Sequence, residues 1–450
     1  MTDSDLTAGA ARVTITPPLG VELAGYGFGP STGVLDELEA AALYLAAGDE
    51  AVVLVSADLL AVSAELVAAL RRRATAELGL APDRVLVAAS HSHSTPTARA
   101  LRQWGVVDAG YLRFLEDALF DVIRQAKDAA VPARLGYGAG QVHGVSANRR
   151  GEGGALDPQV PVLALYRRDP TAAEWNADEE PPNATPVGGV IAALYNFACH
   201  PVALHSYRNV LSADYVAAAR TALTALLGAQ TVTLFAMGAA GDVNPTPFYF
   251  RRTTPRQARR VGAIVGAEAA QAALDPRLTD DATLRVITDL IPLPLTPLPP
   301  RAELETHHAR YAQESVAAHA AGRPLVETSV LDIQRDWAAD ALAASVAPAT
   351  AECEVTAVRV GPLALLYAPL EVFVETGLAL KAASPAALTF VQTNANGELG
   401  YLPTAEAYQI EDYTNPQGLA PRVYGVFALA EDAEPLFRAR CAALLAELFA

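Results

Sequence analysis

The stretch RVLVAASHSHSTP (residues 84–96) joins a short aliphatic run to two histidines one residue apart, and its reading decides the fold. Its first half shows no polar alternation, which is what a strand buried on both faces requires. The pattern recurs outward from it. AVVLVS (51–56), Val160–Tyr166, Gly189–Ala198 and Thr231–Met237 read as further buried strands. Segments of helical period separate them at Ala61–Leu78, Tyr111–Ala130 and Ser212–Leu227. Thr254-Pro255-Arg256-Gln257 has capping-box spacing with proline in the first turn, and so opens another helix. Later strands are expected at Leu284–Ile291, Glu354–Tyr367 and Ala387–Thr393, with a last helix at Phe427–Phe449. The predicted fold class is α/β, with mixed β-sheets flanked by helices.

Composition narrows the function. The chain has 450 residues, 52% hydrophobic and 18% charged, so a large core is available and global disorder is excluded. A formal net charge of −17 opposes phosphate backbones and anionic lipid surfaces, which argues against nucleic-acid binding. Three cysteines are too few for a disulfide scaffold. The N-terminus reads as lacking an export signal, and no apolar run reaches the roughly 18 residues of a membrane span. The expectation is a cytoplasmic protein acting on a small-molecule substrate, without stable membrane insertion. One catalytic-size domain is expected over 1–450, with a helical insertion near 300–345. The acidic stretch Asp169–Gly188, which holds the sequon Asn183-Ala184-Thr185, reads as a surface excursion, and Ile291–Pro300 as a stiff connector.

Five of the eight histidines (His91, His93, His143, His200 and His205) fall between 91 and 205. On an extended segment residues i and i+2 project to one side, so His91 and His93 would face one spot. Strand ends are where α/β proteins build sites. Asn196-Phe197-Ala198-Cys199-His200-Pro201 repeats that layout, with a proline that stops the strand. Two such histidine sites weigh a metal centre evenly against satisfied structural histidines. Zinc suits imidazole and carboxylate ligands. The HxHxDH motif of metallo-β-lactamase-like enzymes fails here, because Ser94-Thr95-Pro96 follows His93. Amidohydrolase barrels need histidines after later strands, and His307, His308 and His319 sit on a helix instead. Cys199 would point away from His200 in a strand and reads as a small buried hydrophobe.

In motif order the chain resembles the catalytic domain of the neutral/alkaline (non-lysosomal) ceramidases, zinc amidases that split an N-acyl bond. The likeness rests on Ala8–Gly25, Ser90–Pro96, Asn148-Arg149, Ala198–Pro201, Ser212-Ala213-Asp214-Tyr215, Gly241-Asp242-Val243, Pro369-Leu370-Glu371 with Gly377, and Gly400–Thr404 with Tyr408 and Tyr413. The resemblance implies zinc ligands His91, His200, Glu371 and Tyr401. His93 is then the nearby proton carrier, and Arg149 a group for a substrate carbonyl or carboxylate. Asp214 and Asp242 orient the site or cap local turns.

The departures from the family pattern are informative. The family's Gly-Asp-Val-Ser-Pro reads Gly241-Asp242-Val243-Asn244-Pro245 here, so a carboxamide replaces the serine taken as catalytic. Asn244 can donate to an oxyanion but cannot act as nucleophile. Ser94-Thr95-Pro96-Thr97 replaces a glycine-rich segment, and the family's C-terminal sandwich domain is expected to be absent. The expected activity is therefore zinc-dependent hydrolysis of an amide-type bond, or a related ester, in a soluble substrate. A catalytically silent metal- or carbohydrate-binding relative and a zinc-dependent lyase or isomerase are the alternatives.

Overall fold

The computed structural model describes residues 6–25, 29–168, 189–204, 209–246, 254–344, 348–409 and 418–450. The acidic stretch 169–188 with its sequon, His205 and Tyr413 lie outside the described residues.

Among the described residues the larger sheet has nine strands. From one edge they run Val232–Met237, Val190–Phe197, Gln159–Arg167, Val131–Gln141, Thr7–Thr14, Glu39–Ala47, Glu50–Ala57 and Val85–Ala89. Arg277–Thr279 pairs with Val131–Gln141 off this path. The interior pairs are antiparallel, whereas both edge pairs are parallel. A second sheet holds Leu284–Pro294, Thr350–Val360, Leu363–Tyr367 and Leu388–Gln392, the last two parallel.

Alternate residues of each central strand enter two different cores. Val53, Val55, Val85 and Val87 pack beneath helices Ala64–Leu78, Ala109–Asp128, Tyr215–Leu227 and Pro255–Leu274. Val52, Leu54 and Leu86 face the other way, onto Val358, Leu363, Leu365 and Phe390 of the second sheet. The far side of that sheet meets Leu380 and the C-terminal helix through Phe437, Cys441 and Leu445. The layers are thus helices, sheet, sheet, helices. Both faces of each sheet are covered, which is why the strands read as unbroken apolar runs.

Several expected boundaries shift for local reasons. Glu354–Tyr367 is two antiparallel strands, because Gly361 takes a φ of 55° and turns the chain before Pro362. The supposed connector is strand as far as Pro294, and proline is tolerated there because this is the sheet's edge strand. The last helix starts at Ala433, since Leu429 is still bridged to Leu295. Helices Arg301–Ala320 and Leu325–Ala343 occupy the segment expected to be helical near 300–345.

Candidate metal centre

The candidate site residues stand beyond the C-terminal ends of parallel strands from both sheets. Val85–Ala89 delivers His91 and His93, Val190–Phe197 delivers His200, and Val232–Met237 leads to residues 241–244. Leu363–Tyr367 leads to Glu371, and Leu388–Gln392 to Tyr401. The edge strand Val232–Met237 approaches the other end of the large sheet, where Ser56 Oγ of Glu50–Ala57 donates to the Phe235 carbonyl at 2.7 Å. Thr393–Asn396 closes the remaining gap: Thr393 N–H donates to Met237 at 2.9 Å, and Asn396 N–H to Val87 at 2.7 Å.

His91 and His93 do share one spot, though not by strand alternation. His91 has a φ of 66°, so the chain leaves the strand in a left-handed turn, fixed by its N–H donating to Leu59 at 2.8 Å. His93 folds back until its Nε2 lies 3.4 Å from His91 Nε2. Gly25 makes room for it, because a Cβ there would meet the His93 ring at 2.8 Å.

The two ligand-type imidazoles are held alike. His91 Nδ1 lies 2.8 Å from the Leu60 carbonyl, and His200 Nδ1 lies 2.6 Å from the Ala240 carbonyl. A carbonyl only accepts, so each Nδ1 carries a hydrogen and, in the neutral ring, each Nε2 presents a lone pair. Both lone pairs aim at one carboxylate oxygen: Glu371 Oε2 is 3.3 Å from His91 Nε2 and 3.0 Å from His200 Nε2. All three residues are buried. The other Glu371 oxygen accepts from the Tyr424 hydroxyl. Three acceptors thus converge away from water, an arrangement that demands a proton or a cation.

The titration behaviour follows. Burial alone would raise the Glu371 carboxyl, but His91 and His200 hold it well below its usual range. Burial opposes charge on His91 too, and the Glu371 carboxylate outweighs it to raise the imidazole. Burial and then the two neighbouring imidazoles push His93 well down, so His93 is neutral. Ligand atoms of His91, His93 and His200 lie within 4.8 Å of one another, so these three could hold a metal ion.

Glu371 and Tyr401 are direct register partners in a two-residue parallel bridge, Glu371–Val372 with Tyr401–Leu402. The Tyr401 ring packs 5.9 Å from that of Tyr424 and 6.5 Å from that of Phe373, and the Arg149 guanidinium lies 5.2 Å from its centroid. Arg149 also donates to the Gly241 carbonyl. Asp242 accepts from Asn148 Nδ2 at 2.8 Å and from Val374 N–H at 2.9 Å, tying the Gly241 loop to the Glu371 segment. Asp214 caps its helix and accepts from Ala203 and Leu204 N–H, which shapes the turn after His200. Asn244 follows the carbonyl that accepts from His200 N–H at 2.9 Å. It is 1% exposed, and among the described residues neither its amide nitrogen nor its oxygen has a partner. Cys199 is buried in the helix-side core and takes no part in the cluster.

No family model matches this chain, and no curated protein does. Solved structures do match. The chain is similar to the crystal structure of neutral ceramidase from Pseudomonas aeruginosa, with a TM-score of 0.72 and 19% identity over 99% of this chain and 75% of that one. The fold is that of neutral ceramidase. A ceramidase structure complexed with C2 agrees, with a TM-score of 0.69 and 18% identity over 99% and 76% of the two chains. Among the described residues no helix is long and apolar enough to cross a membrane.

Against this ceramidase fold, sequence reading missed two residues. Tyr424 lies on the short helix Leu419–Tyr424, in a stretch with no motif, and reaches Glu371 only through tertiary packing. Glu398 is buried and accepts from Asn394 Nδ2 at 2.7 Å and Gly400 N–H at 2.9 Å, bracing the loop that carries Tyr401. Burial, reinforced by Glu371, pushes its carboxyl up to about 7.

Proposed function

We propose that this protein is a zinc-dependent hydrolase that cleaves an amide-type carbon–nitrogen bond, or a related ester, of a small soluble substrate. The observation that carries the reading is the convergence of two fixed imidazole Nε2 atoms on one buried oxygen of Glu371. Imidazole nitrogen and carboxylate oxygen are donors that zinc accepts. His91, His200 and Glu371 would hold the ion, with Tyr401 in register beside Glu371. Zinc in this position would supply Lewis acidity and lower the pKa of water enough for attack at neutral pH.

The remaining steps belong to the chain's own residues. Tyr424 occupies one oxygen of Glu371 and leaves the other for the ligand role. Neutral His93, beside His91, takes a proton from the attacking water and returns it to the leaving nitrogen. Arg149 and the Asn244 carboxamide supply donors for the developing oxyanion, where one such donor is worth roughly 3–4 kcal/mol. Asn244 has no nucleophilic oxygen, so water attacks directly and no acyl-enzyme forms on this side chain.

Metal analysis of the purified protein tests the centre. His91→Ala and His200→Ala should each remove most of the bound zinc, and unchanged zinc in both would sink the assignment. The three-histidine cluster favours a second reading, in which His93 is itself a ligand. His93→Ala separates the two: it keeps zinc and loses turnover if His93 carries protons, and loses zinc if it binds the ion. Solvent ¹⁸O appearing in the acid product distinguishes hydrolysis from lyase or isomerase chemistry.

A further inference from the structure

Helices Arg301–Ala320, Leu325–Ala343 and Leu419–Tyr424 border a groove of about 490 Å³, a volume typical of small-molecule sites. It shares no lining residue with the histidine cluster. Its apolar lining includes Pro299, Ala302 and Leu304. Arg422 also lines it, its guanidinium 4.1 Å from the centroid of the Trp337 ring and donating to Gln334 Oε1. Its Nε is buried without a hydrogen-bond partner, and among the described residues no carboxylate pairs with this side chain.

Arg422 is half-buried, and a guanidinium partly withdrawn from water without a counter-charge loses hydration that an anion pairing with it recovers. Burial accordingly lowers the pKa of Arg422. The field in the groove is positive at a second point as well. His307 is pushed down by burial and then by Arg422 and Arg310. Arg310 has Glu314 as its partner, at 2.8 Å, and among the described residues Arg422 is the arginine of the lining without a carboxylate partner. Glu303 is the acid on the lining.

We propose that this groove is a binding site for a small organic carboxylate, its anionic end on Arg422 and its apolar body against Pro299, Ala302 and Leu304. A planar guanidinium suits the bidentate geometry of that ligand. The site is independent of the hydrolase reading. It is nonetheless linked to the metal centre by one six-residue helix, which holds Arg422 in the groove and Tyr424 against Glu371.

Isothermal titration of the full chain with benzoate, and with benzamide as its neutral counterpart, tests the site. Benzoate should bind about tenfold more tightly than benzamide, and Arg422→Gln should erase that preference. Glu303→Gln, which leaves Arg422 in place, should tighten benzoate by roughly threefold through loss of a repelling charge. His200→Ala should leave benzoate binding intact. No preference for benzoate, an unchanged Arg422→Gln, or an unchanged Glu303→Gln overturns the proposal. Loss of binding in His200→Ala overturns it too, by assigning the carboxylate to the metal centre.

Discussion

Asn244 is the side chain whose position is hardest to justify by stability. A fully buried carboxamide with neither end bonded costs about 1–3 kcal/mol. Such a residue fits the proposed role, because its free donor waits for a substrate oxygen. Asn244→Leu should therefore raise the thermal midpoint by the equivalent of about 1 kcal/mol and lower kcat about a hundredfold. Thermal melts and steady-state kinetics on one preparation would check both signs, and a destabilised variant would show that the amide is structural. The turn conformation of His91 makes a related point. A φ of 66° is strained for a residue other than glycine, and it persists because the Leu59 and Leu60 carbonyls hold the backbone and the ring.

Short elements do most of the positioning. The two-residue bridge between Glu371 and Tyr401 is possible because the Gly241 loop runs against it. Gly241 N–H donates to Val372 at 2.8 Å, and a Cβ on Gly241 would meet the Glu371 carbonyl at 2.6 Å. Gly241→Ala must push these segments apart, so it should lower zinc affinity by about tenfold or more, measured by competition with a chromogenic chelator. The helix Leu419–Tyr424 acts on the same carboxylate from the other side. Tyr424→Phe keeps the ring packed against Tyr401 but removes the hydroxyl from Glu371, and a loss of about 10–100-fold in zinc affinity is expected. An unaltered affinity would assign Tyr424 to packing alone.

Over the whole molecule, buried acids set a pH dependence that lies outside the histidine cluster. Asp36 accepts from Ser212 Oγ at 2.6 Å and Ala213 N–H at 2.7 Å, yet burial pushes its carboxyl up to about 6. Burial likewise pushes Asp214 up to about 7, with Asp36 adding to the shift. A raised acid means that the folded state keeps a proton the unfolded chain has already released. Its contribution is fully present below the unfolded value near 3.8 and is lost as pH rises through the folded value. Asp36→Asn has no such proton to lose. Relative to wild type the variant should gain stability between pH 4 and pH 7, on the order of 2 kcal/mol, read from urea midpoints. A pH-independent difference would mean that Asp36 is charged throughout.

The sequence by itself determined the fold class, mixed sheets flanked by helices, and marked two strand ends as a candidate site. Unbroken runs such as Val85–Ala89 can satisfy both faces only in a covered sheet, and a histidine shortly after two of them marked a candidate site. It left Thr7–Thr14, Glu39–Ala47 and Val131–Gln141 unread, because alanine and glycine there carry little periodic signal. Gly138 is glycine because a helix lies so close that a Cβ would meet the Ala272 carbonyl at 2.8 Å. Only the tertiary structure decided that His91 turns left-handed, that Tyr424 seats Glu371, and that Asn244 is orphaned. Periodicity records which way a side chain faces along its own strand or helix. Convergence on one carboxylate depends on how the two sheets and their loops pack together, and residues 91, 200, 371 and 424 are too far apart in the chain for local preference to specify it.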